Sequence, residues 1–169
     1  VVVTADGKPL AVLRRANREW VGLDAISPHV VQALLATEDH RFYEHRGLDW
    51  RRTLAAAFHT LNGRLQGGST LTQQLARNLF PEEIGRAPTL ERKVKEAITA
   101  LRIEQVYAKQ EILEVYLNTV PFLYNAYGIE MAARTYFDKS AQDLDVLESA
   151  TLVGMLKGTS YYNPVLNPE

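Results

Sequence analysis

The sequence has 169 residues, of which 46% are hydrophobic and 23% are charged, as expected of one globular domain with its own core. Its formal net charge of −1 argues against a general nucleic-acid binder, because such proteins carry an excess of basic residues. The sequence contains no cysteine, which excludes disulfides, a thiolate nucleophile and a zinc–thiolate site.

The sequence has no signal peptide and no apolar run near the roughly 20 residues that cross a bilayer. It begins at Val1 instead of Met. We therefore expect a piece of a longer protein, with any targeting segment elsewhere.

Two short apolar runs near the start, residues 1–4 and 10–13, flank Asp6-Gly7. An Asp-Gly pair favours the positive backbone angles of a tight hairpin, so both runs are predicted to be strands. We expect a β-hairpin or linker over residues 1–25 and a helical region over 26–169, together forming a single domain.

A carboxylate, Glu38, falls on the apolar face of the first predicted helix. Ser27 can cap this helix, and Pro28 suits its first position. Glu38 lies one helical turn beyond Leu34 and two beyond Val31. The apolar stripe of the helix consists of Val30, Val31, Leu34 and Leu35.

Two interpretations of Glu38 stay open. Either it is an ordinary surface group, at the edge of the apolar face or paired with Arg41, or it is a partly desolvated general base or acid. Its position alone does not decide between them.

A second helix is predicted after the Glu38 segment. Asp49 can cap it, and Gly63 can end it in the left-handed conformation. Its apolar face is interpreted as structural and consists of Trp50, Leu54, Ala57, Phe58 and Leu61.

A Gly-Gly pair at residues 67–68 opens onto a third predicted helix. Thr70 and Gln73 have the spacing of a capping box. Backbone N–H groups, hydroxyls and Arg77 can then approach an anion. The alternative is a flexible loop before an ordinary amphipathic helix, and the lysine of a nucleotide-binding phosphate loop is missing.

Thr89 is predicted to cap a long helix. In one interpretation, Arg92 and Glu96 form an ordinary surface pair. In the other, Arg92 and Lys93 clamp a pyrophosphate, and Glu96 is a second carboxylate that faces Glu38 across a cleft. The inward face is predicted to consist of Leu90, Val94, Ala97, Ile98 and Leu101.

The remaining chain is predicted to be helical core without catalytic residues. Helices are expected at 109–117, 129–137 and 146–156, with Asn118 and Gly158 ending the first and the last. Ser140 can cap the segment that follows the 129–137 helix. Aromatic residues at helical spacing in this half are assigned to packing.

Four motifs, in this order, resemble the signatures of the peptidoglycan glycosyltransferases, glycosyltransferase family 51. They are EDHRFYEHRG at 38–47, GSTLTQQ at 68–74, RKVKE at 92–96 and EILEVYLN at 111–118. The resemblance covers about residues 28–164. Such domains occur in bacterial class A penicillin-binding proteins and monofunctional transglycosylases.

The resemblance implies a mainly α, lysozyme-like, two-lobed helical domain that contacts the membrane surface. It implies action on lipid II and the growing glycan strand at the outer face of the cytoplasmic membrane, with a transmembrane anchor absent from this fragment. It also allows a C-terminal transpeptidase domain in the full chain. A mobile, lipid-facing jaw segment is expected at about 61–88.

The resemblance also implies residue roles. Glu38 would be the general base on the acceptor 4-hydroxyl, so that a β-1,4 bond forms with inversion and undecaprenyl pyrophosphate leaves. Glu96 would be the second catalytic acid, acting on the leaving group or a metal. The substrate-binding positions would be Asp39, Ser69, Thr70, Gln73, Gln74, Arg77, Arg92 and Lys93.

A divalent cation, Mg²⁺ or Mn²⁺, can assist the leaving group, but no ligand cluster in the sequence specifies one. The rival hypotheses are a lysozyme-like lytic or hydrolytic enzyme and a non-catalytic domain that binds cell-wall partners. The clustered cations argue against the hydrolase, because cleavage of a neutral glycosidic bond needs no anion site.

Two positions depart from the family pattern. Arg77 occupies a position where Lys is usual, so a planar guanidinium group replaces a compact ammonium group. Residues 122–128 lack the usual glycine after Phe122, which leaves the local loop shape open.

Overall fold

The computed structural model describes residues 2–3, 9–11, 17–61, 68–85, 87 and 89–157. Helices dominate these residues, which confirms the predicted mainly helical class and is consistent with a lysozyme-like domain. The helices are α1 (Pro28–Glu38), α2 (Trp50–Leu61), α3 (Leu71–Leu79), α4 (Pro81–Ile84), α5 (Leu90–Val106), α6 (Lys109–Thr119), α7 (Ile129–Phe137) and α8 (Val146–Lys157).

The predicted N-terminal strand pair is confirmed. Strand β1 (Val2–Val3) pairs antiparallel with β2 (Pro9–Ala11), and Val2 lies opposite Ala11. The Asp6-Gly7 turn lies outside the described residues.

A second, small sheet was not predicted. Its strand order is β3 (Asn17–Arg18), β5 (Ala126–Tyr127) and β4 (Pro121–Phe122), with β3 parallel and β4 antiparallel to β5. Tyr124 and Asn125 both have positive φ, at 50° and 61°, between these last two strands. The chain therefore makes a tight two-residue turn here without a glycine.

The core lies where α1 packs against α8 and α3 packs against α5 and α6. Val30 and Leu34 are fully buried, which confirms the predicted stripe of α1. Burial of each large apolar side chain stabilises the fold by about 1.5–3 kcal/mol. The largest buried side chains are Tyr116, Phe42, Phe122, Leu34, Leu71, Leu75, Ile112, Leu113, Leu117, Ile129, Leu152 and Met155.

Three of the predicted helix caps are confirmed. The Asp49 carboxylate accepts from the Arg52 N–H at 3.0 Å, and Thr89 accepts from the N–H of Arg92 at 3.2 Å. Thr70 and Gln73 form the full capping box of α3.

The predicted capping function of Ser27 is wrong. Ser27 does occupy the N-cap position of α1, but its hydroxyl donates to the Leu144 carbonyl at 2.8 Å. A neighbouring chain segment therefore competes successfully for this hydroxyl. Ser140 likewise precedes a single 3-10 turn, Ala141–Asp143, and its hydroxyl bonds the Asp143 carboxylate.

The predicted inward face of α5 is also wrong. Leu90 is 81% exposed and Val94 50% exposed, and Ile98 and Leu101 are exposed as well. The buried face is instead formed by Glu96, Ala100 and Ile103, which pack toward α3. Helical periodicity shows which residues share a face, but the partner helix decides which face is buried.

Apolar residues of α2 and of the predicted jaw divide between the core and the surface. Trp50 and Leu54 are exposed, so this part of α2 is not core as predicted. Within residues 61–88, Leu71, Leu75 and Ile84 are buried, whereas Leu79 and Phe80 are exposed. The structure does not describe residues 62–67, which include Gly63, nor residues 86, 88 and 158.

The loop after Glu38 depends on Gly47. Its φ is +86°, and a Cβ atom there would lie 2.9 Å from the Ala100 carbonyl oxygen. The loop can thus approach α5 closely only because residue 47 has no side chain.

We expect Gly47→Ala to lower the free energy of unfolding by roughly 3 kcal/mol, from backbone strain plus the steric clash. Gly85→Ala is the matched control, since Gly85 has φ +87° but nothing within 4 Å of an added Cβ. It should cost only about 1 kcal/mol. Equal losses in urea unfolding would contradict the close approach of the loop to α5.

Candidate active site

Glu38 ends α1 with one carboxylate oxygen bonded and the other unpaired. Oε2 accepts a hydrogen bond from Gln74 Nε2 at 2.9 Å. Oε1 is buried and has no hydrogen-bond partner among the described residues. Arg41 pairs with Asp49 at 2.5 Å, so the alternative of a Glu38–Arg41 surface pair is wrong.

The end of α1 is held in place by Arg52 of α2. The Arg52 guanidinium donates to the backbone carbonyl of Glu38. A cation at a helix C-terminus satisfies a free carbonyl and complements the helix dipole. This contact fixes the backbone that carries the Glu38 side chain.

Asp39 has a structural environment. It is 1% exposed, accepts from the Leu71 N–H at 3.0 Å, and lies 3.0 Å from His45 Nε2. Its carboxylate thus ties the loop after α1 to the N-terminus of α3. Direct substrate contact, as the resemblance implied for Asp39, does not fit this burial.

Thr70 and Gln73 are also buried, and their polar atoms serve the loop itself. The Thr70 hydroxyl bonds the Gly47 carbonyl at 2.6 Å, and Gln73 completes the capping box. Thr70 therefore orders the loop instead of offering its hydroxyl to a substrate. Ser69 is only half-buried, and its hydroxyl accepts from Lys93 Nζ at 2.8 Å.

The fully buried carboxylate of Glu96 forms ion pairs with three cationic side chains. Its oxygens lie 2.7 Å from Lys93 Nζ, 3.3 Å from Arg92 Nε and 3.5 Å from Arg77 Nη1. Three cations and one carboxylate leave two formal positive charges in excess. This cation cluster, Arg77, Arg92 and Lys93 around Glu96, suits a diphosphate.

The position of Glu96 differs from the one expected for a second catalytic acid. Glu96 was expected to face Glu38 across a cleft, but it is 0% exposed and enclosed by the cations. Such a group orders the cations because it offsets their mutual repulsion. The geometry favours a positioning role for Glu96.

Helix α3 brings the carboxylate and the cation cluster together. Gln74 donates a hydrogen bond to Glu38, Arg77 forms an ion pair with Glu96, and Gln74 and Arg77 are three positions apart. Residues at this spacing lie on one helix face, one turn apart. Both features therefore adjoin the same face of α3, as the roles implied by the resemblance require.

A cavity of about 300 Å³ opens beside the cation cluster. Ser69 and Lys93 line its polar side, and Leu48, Trp50 and Val94 give it an apolar wall. A cavity with these two sides matches a ligand that joins a diphosphate to a hydrocarbon chain.

The described residues contain no group of three or more His, Asp or Glu side chains placed to hold a metal ion. Both Glu96 oxygens are already paired with cations. The donor set at the cation cluster therefore does not fit a divalent ion.

Sequence reasoning missed Tyr116, which was assigned to packing. Its hydroxyl donates to Gln74 Oε1 at 2.9 Å, so it joins the Glu38 network. A buried tyrosine usually has a partner for its hydroxyl, which was the available signal. Arg52 was missed too, and nothing in the local pattern indicated its contact with α1.

Comparison with known proteins decides the family. The sequence matches a family model described as Transglycosylase over residues 6–169. The chain belongs to the transglycosylase family. This confirms the resemblance to the peptidoglycan glycosyltransferases.

The similar curated proteins are penicillin-binding proteins. Identity is 46% to penicillin-binding protein 1A of Escherichia coli (strain K12), over 99% of this chain and 20% of that protein. Identity is 44% to penicillin-binding protein 2D of Bacillus subtilis (strain 168), over 99% of this chain and 24% of that protein. It is 42% to penicillin-binding protein 1A of Aquifex aeolicus (strain VF5), over 99% of this chain and 23% of that protein. The chain thus spans about a quarter or less of the length of these relatives.

The Arg41–Asp49 pair should make stability depend on acid pH. Burial alone would raise the pKa of Asp49, but hydrogen bonds from the Arg52 N–H and the Arg41 guanidinium outweigh it and hold the pKa below its usual value. The stabilisation from this pair is present above the ordinary pKa and is lost as the pH falls through the lowered one.

We expect Asp49→Asn to make the free energy of unfolding less dependent on pH below about 4, where wild type loses the pair. Urea unfolding at several acid pH values measures this. Glu91→Gln is the control, because the hydrogen bond from Lys95 lowers the pKa of Glu91 but that pair lies at the surface and is screened by solvent. Equal pH slopes for wild type and Asp49→Asn would contradict the account.

Proposed function

We propose that this domain polymerises lipid II into β-1,4-linked glycan strands with inversion, releasing undecaprenyl pyrophosphate, with Glu38 as the general base. One observation carries the proposal. The sheltered carboxylate of Glu38 and the cation cluster adjoin one face of α3. Family membership supports the reaction class.

The two parts of the site supply the two needs of this reaction. A sugar hydroxyl is a weak nucleophile and needs a base. Glu38 takes the proton of the acceptor 4-hydroxyl while the oxygen of that hydroxyl attacks the anomeric carbon of the donor. The bond from that carbon to the diphosphate breaks, and the electron pair leaves on the diphosphate oxygen. Lys93 and Arg77 stabilise this growing charge.

The cation cluster distinguishes this reaction from the lysozyme-like hydrolysis that the sequence left open. Hydrolysis of a glycosidic bond between sugars releases no anion. The excess positive charge around Glu96 has a purpose only if the leaving group is negatively charged.

The partners and the location follow as parts of the same proposal. The relatives are named penicillin-binding proteins and are much longer than this chain. This supports a transpeptidase domain elsewhere in the full protein. No helix of the described residues combines the length and apolarity that a membrane span needs. We place the domain at the outer face of the cytoplasmic membrane, anchored by a segment outside this chain.

Polymerisation of labelled lipid II tests the base. We expect Glu38→Gln to lower the rate by at least about a hundredfold, because the amide cannot accept the proton, while the fold is retained. Glu44→Gln, an exposed acid of the same loop, should keep wild-type activity. A folded Glu38→Gln protein with normal polymerisation would exclude Glu38 as the base, and digestion of cell wall without polymerisation would favour the hydrolase.

Donor binding tests the cation cluster. Lys93→Ala should raise the KM for lipid II roughly tenfold with little change in melting temperature, since Glu96 keeps two other cations. The control is Lys95→Ala on the same helix, which removes a cation from an exposed surface pair with Glu91. If both variants changed the KM equally, the cluster would have no specific role.

A further inference from the structure

A chain of two hydrogen bonds runs from α6 through α3 to the end of α1. The Tyr116 hydroxyl donates to Gln74 Oε1 at 2.9 Å, and Gln74 Nε2 donates to Glu38 Oε2 at 2.9 Å. Tyr116 is 1% exposed and packed in the core. The chain thus connects Glu38 to the hydrophobic core.

The direction of this chain follows from the protonation of its two ends. Burial raises the pKa of Tyr116 above its usual value, the nearby Glu38 carboxylate raises it further, and Arg77 opposes both. The phenol therefore keeps its proton at any working pH and can donate. A reversed Gln74 amide would place its oxygen against a carboxylate oxygen of Glu38, which is repulsive when Glu38 is ionised.

We propose that Tyr116 is a positioning residue for the base: through Gln74 it holds Oε2 of Glu38, so that Oε1 is the oxygen that takes the acceptor proton. This inference rests on the proposed function. It assigns different tasks to the two oxygens of one carboxylate, and it gives the second Gln of the 68–74 motif a role in orientation.

The missing hydrogen bond at Oε1 supports this assignment. A sheltered acceptor without a donor among the described residues is unfavourable, and a substrate hydroxyl that donates to Oε1 would remove that penalty. Oε2 has its donor already. The hydroxyl that supplies the missing hydrogen bond is then also the one whose proton is transferred.

The test is the pH dependence of kcat and KM for lipid II polymerisation by the intact protein, comparing wild type with Tyr116→Phe. The variant keeps the buried ring but releases the Gln74 amide. We expect kcat to fall about tenfold with KM within twofold, because orientation of the base is needed only in the reaction step. The acid limb of the kcat profile should move to higher pH, because the hydrogen bond from Gln74 to the ionised base is no longer held in place and stabilises the ionised form less.

Tyr136→Phe is the matched control, since the Tyr136 hydroxyl is buried and has no hydrogen-bond partner among the described side chains. It should leave the profile as in wild type. Gln74→Asn is the second variant: its amide is too short to reach both partners, so it should reproduce the Tyr116→Phe profile. Combining the two changes should then add little further loss.

The possible results separate this inference from the proposed function. If wild type polymerises lipid II and both variants keep its kcat and pH profile, Tyr116 has no positioning role, although the proposed function stands. If the losses of the two single variants multiplied in the double variant, Tyr116 would not act through Gln74, and the inference would be wrong. A wild-type protein without polymerising activity would overturn the inference and the proposed function together.

Discussion

The contact of a buried carboxylate with three cations is the interaction on which the candidate site depends. Glu96 is 0% exposed, and a carboxylate in that position is tolerated only when it is paired. Its partners come from two helices, since Arg77 belongs to α3 whereas Arg92 and Lys93 belong to α5. The same contact therefore joins the two helices and concentrates positive charge at one place.

Helix α3 carries this arrangement to Glu38. Its N-terminus is fixed by the Asp39 carboxylate and by its own capping box, and its next turn presents Gln74 and Arg77 on one face. The buried polar residues of the motifs thus hold the helix, and the less buried ones lie at the candidate site. This division explains why a short segment contains so many polar side chains next to a hydrophobic core.

Local features could be predicted from the sequence. The stripe of α1, the caps at Asp49, Thr70 and Thr89 and the N-terminal strand pair depend on residues close in the chain, and the structure confirms them. Short patterns also made Glu38 and Lys93 candidates, but their roles came from the resemblance of the ordered motifs and stay predictions.

Features that depend on contacts between distant segments were not predictable. The face of α5 that packs inward is determined by contact with α3, and one of its buried residues is the charged Glu96, which apolar periodicity places at the surface. The hydrogen bond from Tyr116 to Gln74 joins residues 42 positions apart. The second sheet likewise pairs residues 17–18 with 126–127, a contact that no local pattern indicates.

A crystal structure of the Glu38→Gln protein with a bound lipid-linked disaccharide diphosphate would test the central claim most directly. The account predicts that the diphosphate oxygens lie against Ser69, Arg77 and Lys93, with residue 38 directed at the reacting sugars. A diphosphate bound instead in the adjoining cavity of about 600 Å³, which Arg41 and Arg46 line and Glu96 does not, would contradict it.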